Sequence, residues 1–351
     1  MKHSSPRILL IRRDNIGDLV CTTPLFDALR RRFPDAYLCA LVTRYNRAVL
    51  DGHPALDEIV AYTKTKHLDA GESVFRNYVA RLRLMLDLRR RRFDYCVLAA
   101  PGYQRRMLAL ARWVGARHVV GFVEPDKPHA RLIDIAVPWR FDPAQTETED
   151  VWGLGQAFGI EGVPGALCIV PPPDAAARLA PEVQVLRAGR RVVGIHLSAR
   201  KPSQRWPAAH FAGIMHALHD VHGCVFMLLW APGAADNPRH PGDDDKAAAV
   251  RTATAGLPVL PVPTATLAEL IAAISLCDDV ICADGGAMHL AAAAGKPIVC
   301  LFGHSSAARW RPWAVPYRLL QAPSMNVADV SVADVVRAYA DLRYELENRK
   351  S

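Results

Sequence analysis

Three short stretches bring together residue types that can move a proton or hold a phosphate. The first, Arg13-Asp14-Asn15-Ile16-Gly17-Asp18, follows directly on the apolar run Arg7–Arg12. Gly17 permits a tight turn, and Asp18 offers a carboxylate just before a helix. Such a group can accept a proton from a substrate hydroxyl, or it can serve only as a helix cap. The GxGxxG fingerprint of dinucleotide binding is absent here. The second stretch is Ile281-Cys282-Ala283-Asp284-Gly285-Gly286-Ala287-Met288-His289-Leu290. A strand runs into Asp284, Gly285 and Gly286 allow close approach, and a helix beginning near Ala287 presents free amides to an anion, above all a diphosphate. Asp284 can accept hydrogen bonds from sugar hydroxyls, and His289 can reach a phosphate or ring oxygen. The plainer alternatives are an N-cap and a packed histidine. The third stretch runs from His196 to Pro207 and carries the Ser198 hydroxyl with Arg200, Lys201 and Arg205. The Ser198 hydroxyl and three cations suit a leaving pyrophosphate, although an ordinary exposed basic loop has the same composition.

Other clusters imitate chemistry. Asp243-Asp244-Asp245 has the spacing of a metal-binding Asp-x-Asp pair, but it opens a helix, where negative charge complements the dipole. His216, His219 and His222 share a helix end without an acidic or cysteine fourth ligand nearby, which favours a solvated face over zinc. Trp310 and Trp313 could stack on a sugar or simply pack the C-terminal segment. No metal site and no cofactor are expected.

The elements that must position these loops alternate strand and helix. Arg7–Arg12 reads as a strand, and Thr23-Pro24 as an N-cap with proline at the first helical position. The helix that follows stops at Pro34. Tyr37–Val42 is a second strand and Val74–Arg90 a long basic amphipathic helix. Tyr95–Ala100, His118–Phe122 and Leu132–Val137 are further apolar runs, and a helix follows at about 149–158. Between 161 and 190, Gly162, Pro164, Gly165 and Pro171–Pro173 interrupt regular structure and mark a linker. Alternation then restarts: strands at Arg191–Leu197, Cys224–Trp230, Val259–Val262, Asp279–Ala283 and Pro297–Phe302, helices at Pro207–Val221, Asp243–Ala253, Thr266–Cys277 and Gly286–Ala294. A last helix covers about 332–347. This pattern predicts an α/β chain with two doubly wound parallel sheets: a first domain over 1–165, a linker over 166–190, a second domain over 191–330 and a C-terminal helix over 331–351.

Composition sets the outer bounds. The chain has 351 residues, of which 51% are hydrophobic and 22% charged, which excludes wholesale disorder and fits two domains. No apolar run approaches a membrane span, and Ile8 to Ile11 is too short for a signal-peptide core. Eight cysteines without CxxC or zinc spacing read as reduced thiols of a cytoplasmic protein. The formal charge of +8 is uneven, +11 over residues 1–140 and −3 over the remainder. The first half therefore faces something anionic, and Arg13, Arg105 and Arg106 are placed by their loops to meet it. No nucleic-acid motif accompanies the charge, so no nucleic-acid partner is expected.

Together the three stretches resemble the lipopolysaccharide heptosyltransferase family, glycosyltransferase family nine, over nearly the whole chain. RILLIRRDNIGDLVCTTPLFDALRRRFP resembles the family's opening strand, Gly-Asp loop and first helix. RVVGIHLSARKPSQRWPAAHF resembles its phosphate loop, and LAELIAAISLCDDVICADGGAMHLAAAAGKPIVCLFG its donor signature. The resemblance implies the glycosyltransferase B architecture, two Rossmann-like domains facing a central cleft. It implies inverting, metal-independent transfer of heptose from ADP-heptose to a lipopolysaccharide core or related glycan, with a glycolipid acceptor at the inner membrane surface. It also implies a cytoplasmic location extending to the inner face of that membrane. Asp18 then falls on the catalytic base, Ser198 on a phosphate-contacting hydroxyl, and Asp284 and His289 on donor contacts. Arg200, Lys201, Gln204, Gly285, Gly286 and Ala287 complete the expected donor site. Three departures stand out: Gln204 where many members carry lysine, Asp284-Gly285-Gly286 in place of Asp-Ser/Thr-Gly, and His304-Ser305 in place of Pro-Thr. The alternatives are a nucleotide-sugar epimerase of the same architecture and a non-catalytic sugar-nucleotide-binding protein.

Overall fold

Strands buried on both faces by helices need no polar alternation, and β1 (Arg7–Ile11) shows this, with Ile8 to Ile11 fully buried. The computed structural model describes residues 5–64, 73–124, 132–237 and 241–349. These form two compact units, 1–169 and 170–351.

In the first unit β1 leads into α1 (Ile16–Val20), α2 (Thr23–Arg32), β2 (Tyr37–Thr43), β3 (Glu58–Tyr62), α3 (Val74–Arg90) and β4 (Tyr95–Leu98). Then come α4 (Arg105–Val114), β5 (His118–Val123), β6 (Ile135–Pro138) and α5 (Glu147–Trp152). The sheet order is β3-β2-β1-β4-β5-β6, every pair parallel. One face of its core joins Leu9, Ile11, Leu41 and Leu98 to Met85 and Leu88 of α3 and Met107 of α4.

The second unit repeats the plan. It contains α6 (Pro173–Arg187), β7 (Val192–His196), α7 (Ala208–His222), β8 (Val225–Trp230), α8 (Asp244–Ala253), β9 (Val259–Pro263) and α9 (Leu267–Leu276). After these follow β10 (Asp279–Ala283), α10 (Gly286–Ala293), β11 (Ile298–Phe302), α11 (Ala307–Trp310), β12 (Tyr317–Gln321) and α12 (Val332–Asn348). The order β12-β11-β10-β7-β8-β9, again all parallel, is the same doubly wound order read from the other edge. In both units the connection changes direction beside the first strand, between β1 and β4 and between β7 and β10. The loops at the carboxyl ends of those two pairs diverge there, which makes them the natural binding edges of such sheets.

The structure departs from the sequence-based expectation in instructive places. The stretch read as an irregular linker holds the 15-residue helix α6, which packs on α9. Proline suits the first turn of a helix, where Pro173 stands, and α6 also accommodates Pro181 in its interior, which the sequence reading gives no reason to expect. Thr22 rather than Thr23 caps α2, and Thr23 instead donates its hydroxyl to the Val20 carbonyl. The segment read as one helix at 149–158 is α5 starting at Glu147, followed by a 3₁₀ turn over Gly153–Phe158. Gly17 makes no sharp turn: it lies inside α1 and is not among the glycines with left-handed backbone. Among the described residues no helix is long and apolar enough to cross a membrane.

Candidate active site

At the carboxyl end of β1 the chain places Arg12 and Arg13 in succession, and the alternation of an extended backbone sends them opposite ways. Arg12 goes in. It is 1% exposed, its Nη1 donates to the Ala99 carbonyl at 2.6 Å, and its Nη2 reaches Glu147 at 2.6 Å and Asp18 at 3.1 Å. Asp14 adds a third carboxylate, 3.3 Å from Arg12 Nε. Burial alone would pull the Arg12 pKa down, but Glu147, Asp18 and Asp14 outweigh it and hold the guanidinium above the ordinary arginine value. Arg12 thereby ties the loop after β1 to the loop after β4 and to the first turn of α5. A Thr146–Glu149 capping box fixes where α5, and with it Glu147, begins.

Asp18 is held at both oxygens. Oδ1 accepts from Arg12, and Oδ2 accepts from the Asn15 amide at 2.9 Å. So the carboxylate does complete a helix cap, yet its side chain remains 13% exposed and each oxygen keeps a further lone pair. Asp14 is placed differently, its carbonyl accepting from the buried Asn46 side chain at 3.2 Å. Arg13 lies beside the buried Tyr62 hydroxyl, whose pKa is raised by burial against the opposing pull of Arg13. Arg105 and Arg106 are exposed in the first turn of α4, where cations oppose the helix dipole. They follow the β4 loop, which Arg12 draws toward Asp18 through Ala99. That loop turns at Gly102, whose left-handed φ of 67° and 3.3 Å approach to Trp139 leave no place for a side chain.

In the second unit three loops converge. Gln204, buried, donates from Nε2 to Asp284 Oδ2 at 2.6 Å and to Ser305 Oγ at 3.2 Å. It therefore cross-links the loops after β7, β10 and β11. Gly303 makes this possible, because a Cβ there would meet the Ser203 carbonyl oxygen at 2.4 Å. Gln321 holds the same loop through the Gly303 and Ser305 carbonyls. Gly285 is extended rather than left-handed, and a Cβ on it would point into open space at the start of α10. Gly286 and Ala287 follow as the first residues of that helix.

The remaining expected donor residues are spread around this junction. Ser198 Oγ accepts from the Ala231 amide at 2.8 Å, so its proton is still free to be donated. Arg200 and Lys201 are exposed on the same loop and not tied to Asp284, while Arg205 donates to the Ala199 carbonyl. His289 is buried in α10, edge-on to Trp310 at 5.9 Å. His196, at the end of β7, is buried with Nδ1 lacking a partner among the described residues, and burial lowers its pKa to about 4.

The imitative clusters resolve as structure. Asp243 pairs with Lys246 at 3.4 Å, and Asp244 accepts from Trp230 Nε1 and the Gly233 amide. His216 and His219 bond to the Ala253 and Cys224 carbonyls, and His222 stands edge-on to Tyr339. One grouping has no signature in the sequence: Asp27, His53 and Cys168 bring ligand-type atoms within 4.8 Å of one another. Here His53 Nδ1 accepts the Ala55 amide, which leaves the ring proton on Nε2, facing Asp27, where a metal would need a lone pair. Burial pushes His53 down and Asp27 up, each toward its uncharged form. Arg12 and Glu147 also went unseen as site residues; the pair Arg12-Arg13 at a strand end was the available signal, since one of the two had to point inward.

Known proteins resemble this chain in sequence and in fold. The family model described as Glycosyltransferase family 9 (heptosyltransferase) matches residues 81–339. The lipopolysaccharide heptosyltransferase 3 of Escherichia coli is 25% identical over 309 residues, covering 85% of this chain and 84% of that protein. Among solved structures, a family 9 glycosyl transferase from Veillonella parvula superposes with a TM-score of 0.78 at 19% identity, covering 98% and 99% of the two chains. The E. coli heptosyltransferase WaaC, solved with ADP, gives 0.75 at 14% identity over 96% and 99%. With its two Rossmann-like units and its match to the family model, the chain belongs to glycosyltransferase family 9, the heptosyltransferases.

Proposed function

We propose that this enzyme transfers heptose from ADP-heptose, with inversion, to a hydroxyl of a lipopolysaccharide core at the cytoplasmic face of a membrane. The lipopolysaccharide acceptor is suggested by the names of its relatives, and the adenine nucleotide by the ADP in the solved relative. The observation that carries the chemistry is Asp18, a carboxylate partly exposed and fixed at both oxygens on the binding edge of the first sheet. In this reading Asp18 accepts the proton of the acceptor hydroxyl as that oxygen attacks the anomeric carbon from the face opposite the diphosphate. The bond from the anomeric carbon to the diphosphate oxygen breaks in the same displacement, and ADP departs with the electron pair. The amides opening α10, the Ser198 hydroxyl and the cations Arg200 and Lys201 receive the growing negative charge. Asp284, oriented by Gln204, accepts hydrogen bonds from the donor sugar. Arg13, Arg105 and Arg106 meet the acidic acceptor.

A thermal-shift and calorimetry panel of ADP, ADP-heptose, UDP and UDP-sugars tests the donor assignment. A selective ligand raises stability by mass action, and the adenine compounds are expected to do so. Asp284→Ala should weaken ADP-heptose binding by about tenfold or more, the loss typical of a hydrogen bond to a charged group. Equal response to uridine compounds, or unchanged affinity in Asp284→Ala, would overturn the assignment.

A further inference from the structure

Helix α3 faces two ways. Met85 and Leu88 turn inward to the first unit's core, yet the outward face is not polar. Phe75 is 75% exposed, Tyr78 60%, Leu82 47% and Leu86 43%. At 3.6 residues per turn these four fall within an arc of about 80° on one side of the helix. Arg76, Arg83 and Arg90 recur at intervals of seven and form an exposed row along one edge of that stripe. The only acidic residue of the helix, Asp87, is held by Arg91 at 2.6 Å, so it does not cancel the row. At the far end Arg89 donates to the Trp113 carbonyl, which brings α4 alongside, and the Trp113 side chain is itself 57% exposed.

An apolar stripe of phenylalanine, tyrosine and leucine edged by arginines, with an aromatic beside it, has the composition of a helix that lies in a membrane interface. Aromatic and leucine side chains enter the headgroup boundary while arginines meet anionic lipid, each cation being worth roughly fivefold in partitioning at such a surface. We propose that the outer face of α3, with Trp113, docks this enzyme on an anionic bilayer. The choice of occupant rests on charge: a row of exposed arginines along the stripe repels the same row on a second copy and attracts anionic headgroups. The proposal deepens the reading of a lipid-borne acceptor, since it places the first unit, which carries Asp18, on the surface where such an acceptor resides.

The test is co-sedimentation of the full chain with phosphatidylcholine vesicles, with and without about one third phosphatidylglycerol. Binding is expected to the anionic vesicles only, falling at least tenfold between about 0.05 M and about 0.5 M salt as the Debye length shrinks. Leu82→Gln combined with Leu86→Gln should lose about tenfold or more in vesicle binding, with melting temperature and ADP affinity unchanged. Arg83→Glu with Arg90→Glu should do the same, and tryptophan fluorescence should show a blue shift, abolished by Trp113→Phe, only when anionic vesicles are present. Absence of vesicle binding, or wild-type binding by both double variants, would overturn the proposal. So would a dimer that Leu82→Gln with Leu86→Gln dissolves, in a protein that ignores vesicles. ADP binding in the same preparations separates the two claims: its loss counts against the transferase reading, whereas failed docking leaves that reading intact.

Discussion

A guanidinium with 1% exposure is costly to bury and becomes tolerable only when its partners are buried with it and hydrogen bonded. Arg12 meets that condition through Glu147, Asp18, Asp14 and the Ala99 carbonyl, and the same contacts orient Asp18. The only local signal in the sequence is its place beside Arg13 at the end of a strand. Glu147 lies 135 residues away, so the pair is visible only once the sheet and α5 are assembled. His196 makes the opposite compromise, staying uncharged in the core. Its pKa falls from 6.5 to about 4 because burial penalises the imidazolium. Unfolding therefore takes up a proton anywhere between those values, so stability is complete above about pH 6.5 and declines as pH falls toward 4. The loss should reach about 3 kcal/mol, since each tenfold drop in proton affinity is worth roughly 1.4 kcal/mol. Chemical denaturation of the wild type and His196→Leu between pH 7 and pH 4 checks this. The wild type should lose more stability across that window than the variant, and parallel profiles would contradict it.

At the scale of elements the junction of Gln204, Asp284 and Ser305 depends on close packing of loops. Gly303→Ala would drive a methyl group against the Ser203 backbone. Either the loop after β7 or the loop after β11 must then move, at a cost of about 1–3 kcal/mol. Melting temperature and ADP affinity should both fall, because Gln204 and Ser305 lie on the displaced loops; a variant matching the wild type in both would show the contact to be dispensable. What the sequence reveals about these elements follows their burial. The central strands β1, β4, β7, β10 and β11 are apolar nearly throughout and were legible as such. The edge strands β3 and β12 were not, since each has one free side and carries Glu58 or Arg318 and Gln321, which break the apolar run. Ser198 and Asp284 are legible as loop residues following strands, and Asp18 as a carboxylate following the first strand, although it stands in the first turn of α1. The Gln204–Asp284–Ser305 junction was not, because a glutamine in a basic loop carries no signal of a partner 80 residues on.

At the scale of the whole molecule the proposed mechanism divides the labour between the two units: the first carries Asp18 and most of the net positive charge, the second the loops at Ser198 and Asp284. A diphosphate met by amides and cations needs no metal ion, and two of the three aspartates that imitate a metal site, Asp243 and Asp244, are occupied by Lys246, Trp230 and Gly233. Turnover should therefore persist in EDTA, and activity lost to chelation and restored by magnesium or manganese would refute this. The same division makes Asp18→Asn the most direct measurement. Asparagine keeps the size and one of the two acceptor positions but removes the basicity. Single-turnover heptosyl transfer should fall by about 10²–10⁴-fold, while ADP-heptose affinity stays near the wild type and Asp14→Asn retains most of the rate; the melting temperature should fall as well, because the buried Arg12 loses a charged partner, so the rate is read on the folded enzyme. A folded Asp18→Asn enzyme that transfers heptose at the wild-type rate would show that Asp18 is a helix cap and not the base.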